Sequence, residues 1–196
     1  MPLELTPSSL RELCKAHKQY VSCPELNDVL YLQCKGILRI QSLEAYTGVT
    51  TLYLEGNAIT QIEGLAALTV LRCLYLGRNL VSRIQGLGAL TNLDTLDLRD
   101  NRISRVDGLD GLPNLRTLIL SGNKLATADD LSGLSAVTAS LTCLDVARNR
   151  LEGEDALRAL LELRGLALLA AAGNPICGGT QWVQHLGRGR WLEHVG

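Results

Sequence analysis

The sequence predicts an α/β solenoid: a parallel sheet of short strands on a concave side, 3₁₀ or helical returns on a convex side, and a capping helix at the N-terminus. Three observations predict it. Asparagine recurs in register at Asn57, Asn79, Asn101, Asn123, Asn149 and Asn174, with spacings of 22, 22, 22, 26 and 25 residues. Each is preceded by an apolar-x-apolar triplet, as in "LYLEGN" and "LDLRDN". In the earlier copies an Ile-x-x-Ile-x-x-Leu run follows, as in "NAITQIEGL".

The full unit is Leu-x-x-Leu-x-Leu-x-x-Asn-x-Ile-x-x-Ile-x-x-Leu, shown cleanly by "LDTLDLRDNRISRVDGLDGL" over 93–112. Counting 22 back from Asn57 reaches Lys35, where Leu30, Leu32, Ile37 and Ile40 keep the framework, so there are seven copies and the first lacks its asparagine. This unit is the leucine-rich repeat. Leu-x-Leu has the two-residue period of a strand and turns both leucines to the same side. The three-residue period that follows suits a 3₁₀ return. One coil cannot bury its own leucines, but stacked coils bury them against each other and pair their strands in parallel. Seven strands at the usual spacing give a sheet roughly 30 Å wide.

The asparagine stands where the strand turns inward. The backbone there leaves regular pairing while it is still buried, and its N–H and C=O groups need partners. A side-chain amide offers both a donor and an acceptor. The ladder is therefore expected to tie each coil to its neighbour, with the first coil managing without one because water reaches it.

Three regions are expected: an N-terminal capping helix and linker over 1–26, the repeats over 27–177, and a divergent or truncated cap over 178–196. In "TPSSLRELCKAHKQY" Thr6 can cap, Pro7 suits the first turn, and Leu10, Leu13 and Cys14 share a face. "GEDALRALLELRG" over 153–165 predicts a true helix on the convex side.

The totals narrow the function. Hydrophobic residues are 46% but aromatics only 4%, with no Phe, so the core is aliphatic. The net charge of −1 gives no general attraction to nucleic acid or anionic membranes. No apolar run approaches the 18 or so residues of a membrane span, and the N-terminus has no signal-peptide pattern. Six cysteines without Cys-x-x-Cys or zinc-ligand spacing predict reduced, buried thiols in a cytosolic protein, with no metal and no cofactor. His17, His185 and His194 all fall outside the repeats, away from Cys73 and Cys143, so no nucleophile has a base in view and no enzyme is expected.

A binding surface is legible. The residues between paired leucines should face out of the concave sheet: Tyr31, Tyr53, Tyr75, Asp97, Ile119, Asp145 and Ala170. Tyr31, Tyr53 and Tyr75 should stack as a ladder on neighbouring strands and serve as aromatic anchors for a protein or long peptide. Asp97, Arg99 and Asp145 belong to a mixed charged half beside them, together with Arg78, Asp100 and Arg148.

The 22-residue Ile-x-x-Ile repeat resembles that of type-1 protein phosphatase regulators. "LTPSSLRELCKAHKQY", "PELNDVLYLQCKGILRIQSLEAYTGVTTLYLEGNAITQIEGL" and "LRCLYLGRNLVSRIQGL" are similar, more narrowly, to the dynein axonemal assembly factor 1 family, from about Leu5 to Pro175. That resemblance implies a non-catalytic cytoplasmic scaffold for preassembly of outer-arm dynein, acting as a monomer on heavy or intermediate chains with chaperone machinery. Its loss would impair ciliary or flagellar motility. A phosphatase regulatory subunit and a resident axonemal dynein light chain are the alternatives. After Asn174-Pro175 the sequence "CGGTQWVQHLGRGRWLEHVG" (177–196) departs from the family's cap.

Overall fold

The computed structural model describes residues 3–15 and 20–178. Seven strands form one parallel sheet in chain order: β1 Val29–Tyr31, β2 Thr51–Tyr53, β3 Cys73–Tyr75, β4 Thr95–Asp97, β5 Thr117–Ile119, β6 Cys143–Asp145 and β7 Leu168–Ala170. The register keeps equivalent residues side by side, with Leu30 beside Leu52, Leu52 beside Leu74, and so on to Leu144 beside Leu169. Each strand is three residues long, with its central leucine buried and its flanking residues on the concave surface. Parallel strands of this length have few hydrogen bonds of their own, so the packing of the coils behind them carries the sheet.

That packing is a single continuous core, chiefly leucine, isoleucine and valine, from Leu5 to Ala171. The convex returns scale with coil length. The 22-residue coils make single tight turns, in which Leu68 N–H donates to Leu65 C=O and Leu90 N–H to Leu87 C=O. The longer spacing from Asn123 to Asn149 admits a 3₁₀ segment, Asp129–Val137, which buries Leu131, Leu134 and Val137. The next coil admits the helix α2, Gly153–Leu161, with Ala156, Leu157 and Leu160 inward.

One device the repeat pattern does not advertise lets the coils approach. Gly86 has φ +70°, and a Cβ there would stand 2.4 Å from the Ile62 carbonyl oxygen of the preceding coil. Gly64 and Gly108 hold the same place 22 residues to either side. In the first coil that place is Ser42, also left-handed at φ 62°. No coil precedes it, so its Cβ is tolerated, and its hydroxyl donates to the Leu5 carbonyl oxygen at 3.1 Å.

The N-terminal helix α1 spans Pro7–Lys15 and buries Leu10 and Cys14, while Leu13 is half-buried. Thr6 caps it as expected: Ser9 N–H donates to Thr6 Oγ1 at 3.1 Å, and Thr6 N–H donates back to Ser9 Oγ at 2.8 Å. The segment before it adds a parallel bridge, Leu3 to Ile37, to the first coil. Tyr46 lies in this coil at the place Leu68 and Leu90 take later, 2% exposed, and burial pushes its phenol pKa well up. Asn27, which falls outside the repeat register, is also buried. Its Nδ2 donates to the carbonyls of Val21, Cys23 and Pro24, fixing the approach to β1.

One expectation changes. All six cysteines are free, but only Cys14 is buried; Cys23 and Cys34 are exposed. Cys34 occupies the left-handed turn position just before the asparagine row, where side chains leave the coil. The cap expected over 178–196 lies outside the described residues except for Gly178, as do His17, His185 and His194. No helix among the described residues is long and apolar enough to cross a membrane.

Candidate functional site on the concave face

The asparagine ladder stands behind the concave face and holds it. Asn79 Oδ1 accepts from Ile59 N–H at 3.0 Å, and its Nδ2 donates to the Leu54 and Leu76 carbonyls, each at 3.0 Å. Asn57, Asn101, Asn123, Asn149 and Asn174 repeat this set. Each amide serves its own coil and the coil before it. That explains Lys35: an asparagine there would serve a preceding coil that does not exist, and Leu32 C=O already receives Asn57 Nδ2 at 2.9 Å. Asn57 Oδ1 also accepts from Lys35 N–H and Ile37 N–H, each at 3.0 Å, so the second rung serves the first coil.

On the face itself, Tyr31 and Tyr53 stack with ring centroids 5.2 Å apart and planes 3° from parallel, and Tyr53 and Tyr75 at 4.8 Å and 4°. The strand register produces this, because it sets Tyr31 beside Tyr53 and Tyr53 beside Tyr75. The rings shield one another, so all three are half-buried rather than fully exposed. Burial pushes the Tyr53 and Tyr75 phenols above their ordinary value, reinforced at Tyr53 by Tyr31 and at Tyr75 by Cys73. The ladder is a neutral, rigid, amphipathic platform at neutral pH.

The ladder ends at β4, where Asp97 follows Tyr75 in the row. Asp97 is a correction to the expected contacts. It is 0% exposed, because Arg99 lies over it. Asp97 Oδ1 accepts from Arg99 N–H at 3.0 Å, while Arg99 Nε donates to Oδ2 at 2.7 Å and Nη2 donates to the same oxygen. The carboxylate is fully used and offers nothing outward. Arg99 presents the flank of its guanidinium instead, its charge held firmly by the hydrogen bond to Asp97. Gly77 makes room for it, since a Cβ there would stand 2.9 Å from Arg99 Cγ. One coil further back, burial raises the Glu55 carboxyl above its ordinary range, with Asp97 adding to the shift and Arg99 opposing it.

The remaining expected charges are largely spent on each other. Asp100 pairs with Arg78 at 3.8 Å and with Arg148 at 3.2 Å. Arg148 reaches it across an intervening coil because Gly122 stands between them, where a Cβ would meet Asp100 Oδ1 at 2.2 Å. Among the described residues Asp145 has no such partner. Its Oδ1 accepts from Ala147 N–H at 2.9 Å, and among the described residues no ion pair reaches it. Beside it, burial raises the Cys143 thiol pKa and Asp145 raises it further, the opposite of what a thiolate nucleophile requires. Among the described residues no group of three or more His, Cys, Asp or Glu side chains could hold a metal.

Sequence reasoning expected the tyrosines, Arg99 and Asp145 on one face, where the register sets the tyrosines, Asp97 and Asp145 in one row. It missed that Gly77 and Gly122 let arginines cross between coils. The signal was present as glycine within a strand-flanking row, but its consequence depends on which residues flank it in space.

Comparison with known proteins agrees with this architecture. The family model described as "Leucine Rich repeats (2 copies)" matches residues 91–135. Dynein axonemal assembly factor 1 of Homo sapiens is 56% identical over 48 residues, and that of Rattus norvegicus 54%. The homolog of Drosophila melanogaster is 52% identical over the same length. Each match covers 24% of this chain, and they cover 6%, 7% and 3% of those relatives, so the chain matches a small part of each. The resemblance read from the sequence is borne out, over a stretch shorter than Leu5 to Pro175. Two internalins of Listeria monocytogenes share the fold at a TM-score of 0.64. One is 28% identical, covering 74% of this chain and 42% of its own; internalin C2 is 27% identical, covering 77% and 64%.

Proposed function

We propose that the chain is a non-catalytic protein-binding scaffold for the assembly of axonemal dynein, and that the concave face is its docking surface. The observation that carries the surface is the stacked Tyr31–Tyr53–Tyr75 ladder. It combines large apolar area, low conformational entropy and polar hydroxyl tips on one rigid sheet, which are the properties of binding anchors. The kind of partner comes from the relatives, whose name is that of a dynein axonemal assembly factor. In this reading the chain works as a monomer in the cytoplasm, before dynein reaches the cilium. It holds heavy or intermediate chains while chaperone machinery acts on them.

The test offers purified axonemal dynein heavy- and intermediate-chain fragments to the immobilised chain. Micromolar binding is expected. It should be lost in Tyr53→Ala/Tyr75→Ala while far-ultraviolet dichroism stays unchanged. No binding of either fragment overturns the dynein assignment, and stoichiometric binding to the type-1 phosphatase catalytic subunit would replace it. Full binding by the double variant overturns the ladder as the contact.

A further inference from the structure

We propose that Asp145 is the seat for an arginine side chain of the client protein. The chain contains its own template for the occupied state. Asp97 and Asp145 hold the same strand position, two coils apart, between a pair of inward apolar residues. In both, Oδ1 accepts the backbone N–H two residues on, from Arg99 at 3.0 Å and from Ala147 at 2.9 Å. In both this leaves Oδ2 outside that backbone bond. At Asp97 a guanidinium then closes on Oδ2 through Nε and Nη2 and excludes solvent entirely. At Asp145 the residue that would supply it is Ala147, and Asp145 remains half-buried, with no guanidinium on it among the described residues.

The surroundings fit an incoming cation. Ile119 and Ala170 flank Asp145 in register. Across β5, β6 and β7 and the two residues after each, Asp145 is the only charged side chain. A carboxylate set among apolar and small residues is incompletely hydrated, so a charge-assisted pair formed there is stronger than one in water. Ala147 and Ala170 are half-buried and Ala172 is exposed, so the side chains around Asp145 are small. Ser121 stands where Gly77 stands beside Arg99, so among the described residues the space that seats Arg99 is not repeated at Asp145. A planar guanidinium is favoured over an ammonium because two of its donors reach one oxygen in the Asp97 template.

The inference rests on the concave face being the docking surface, and its test separates the two. The isotope-labelled full chain is titrated with N-acetyl-arginine-N-methylamide and followed by heteronuclear NMR. Saturable shifts are expected at the backbone amides of Asp145, Val146 and Ala147, with binding about tenfold weaker for the neutral citrulline counterpart. Asp145→Asn, which keeps the acceptor for Ala147 N–H, should abolish them. Ser121→Gly/Ala147→Arg, which rebuilds the Gly77–Arg99 arrangement in place, should also abolish them by filling the seat. Shifts that persist in either variant, or their absence in the wild-type chain, overturn the proposal. The same variants are then compared for binding of the dynein fragments. If Tyr53→Ala/Tyr75→Ala loses binding and Asp145→Asn does not, the seat is wrong and the docking face stands. If neither loses it, both fall.

Discussion

Asn79 Nδ2 lies 3.0 Å from the carbonyl oxygen of Leu54, 25 residues earlier in the chain, and the same oxygen also receives Asn57 Nδ2 at 2.8 Å. Successive asparagines share acceptors, so the ladder is continuous rather than a set of independent turns. Asn101→Ala in the middle of it removes the partner of Val81 N–H and one donor each from Leu76 and Leu98 C=O. All of these groups are buried. Because the shared carbonyls keep a second rung, the expected loss is about 3 kcal/mol rather than the sum of three orphaned groups. The urea midpoint followed by circular dichroism checks it; a change under about 0.5 kcal/mol would show that the ladder is not structural.

Gly86→Ala should be as costly for a different reason. It forces a left-handed residue to carry a Cβ, and that Cβ stands 2.4 Å from backbone, which cannot rotate away. A loss of about 3 kcal/mol is expected. Ser42→Gly at the equivalent place in the first coil should change stability by less than about 1 kcal/mol, since relieving a positive φ offsets the lost bond to Leu5. Equal effects at both positions would contradict the close approach of coils as the cause.

Glu55 gives a pH-dependent prediction. Burial raises its carboxyl above the ordinary value of 4.5, so ionisation is disfavoured by folding. Its favourable contribution is fully present below 4.5 and is lost as pH rises through the folded value. Glu55→Gln should therefore gain stability relative to wild type as pH rises through that range and show no gain below it. Urea titrations of both proteins across the range test the sign; a gain that shrinks with rising pH would reverse it.

The tyrosine ladder has a spectroscopic signature. The folded state holds the Tyr53 and Tyr75 phenols above 10.0, so the unfolded chain deprotonates first. Their stability contribution is whole below that value and is lost as pH climbs through the folded values. Tyrosinate absorbance should rise later in the native protein than in urea, and replacing both residues by Phe should remove part of that lag. Coincident curves would mean the rings are solvated and unstacked.

The coil is legible in the repeat alone. Seven copies of one framework, an amide in register and no Phe leave a stacked aliphatic solenoid as the consistent answer, because each coil's leucines can be buried only by its neighbours. The repeat implies equally that Tyr31, Tyr53 and Tyr75 share a row, since a strand's side-chain period and the repeat length fix that row. Which of the row's charges remain available emerges only from the stacked coils. Asp97 and Asp145 are identical in repeat position, yet Asp97 is closed and Asp145 open. The difference depends on Arg99 against Ala147 and on Gly77 making space for the arginine on a neighbouring strand. A periodic pattern records what each coil repeats. The reach of a long side chain over its neighbour depends on the volumes of residues brought together from different coils, and that is settled only when the coils are stacked.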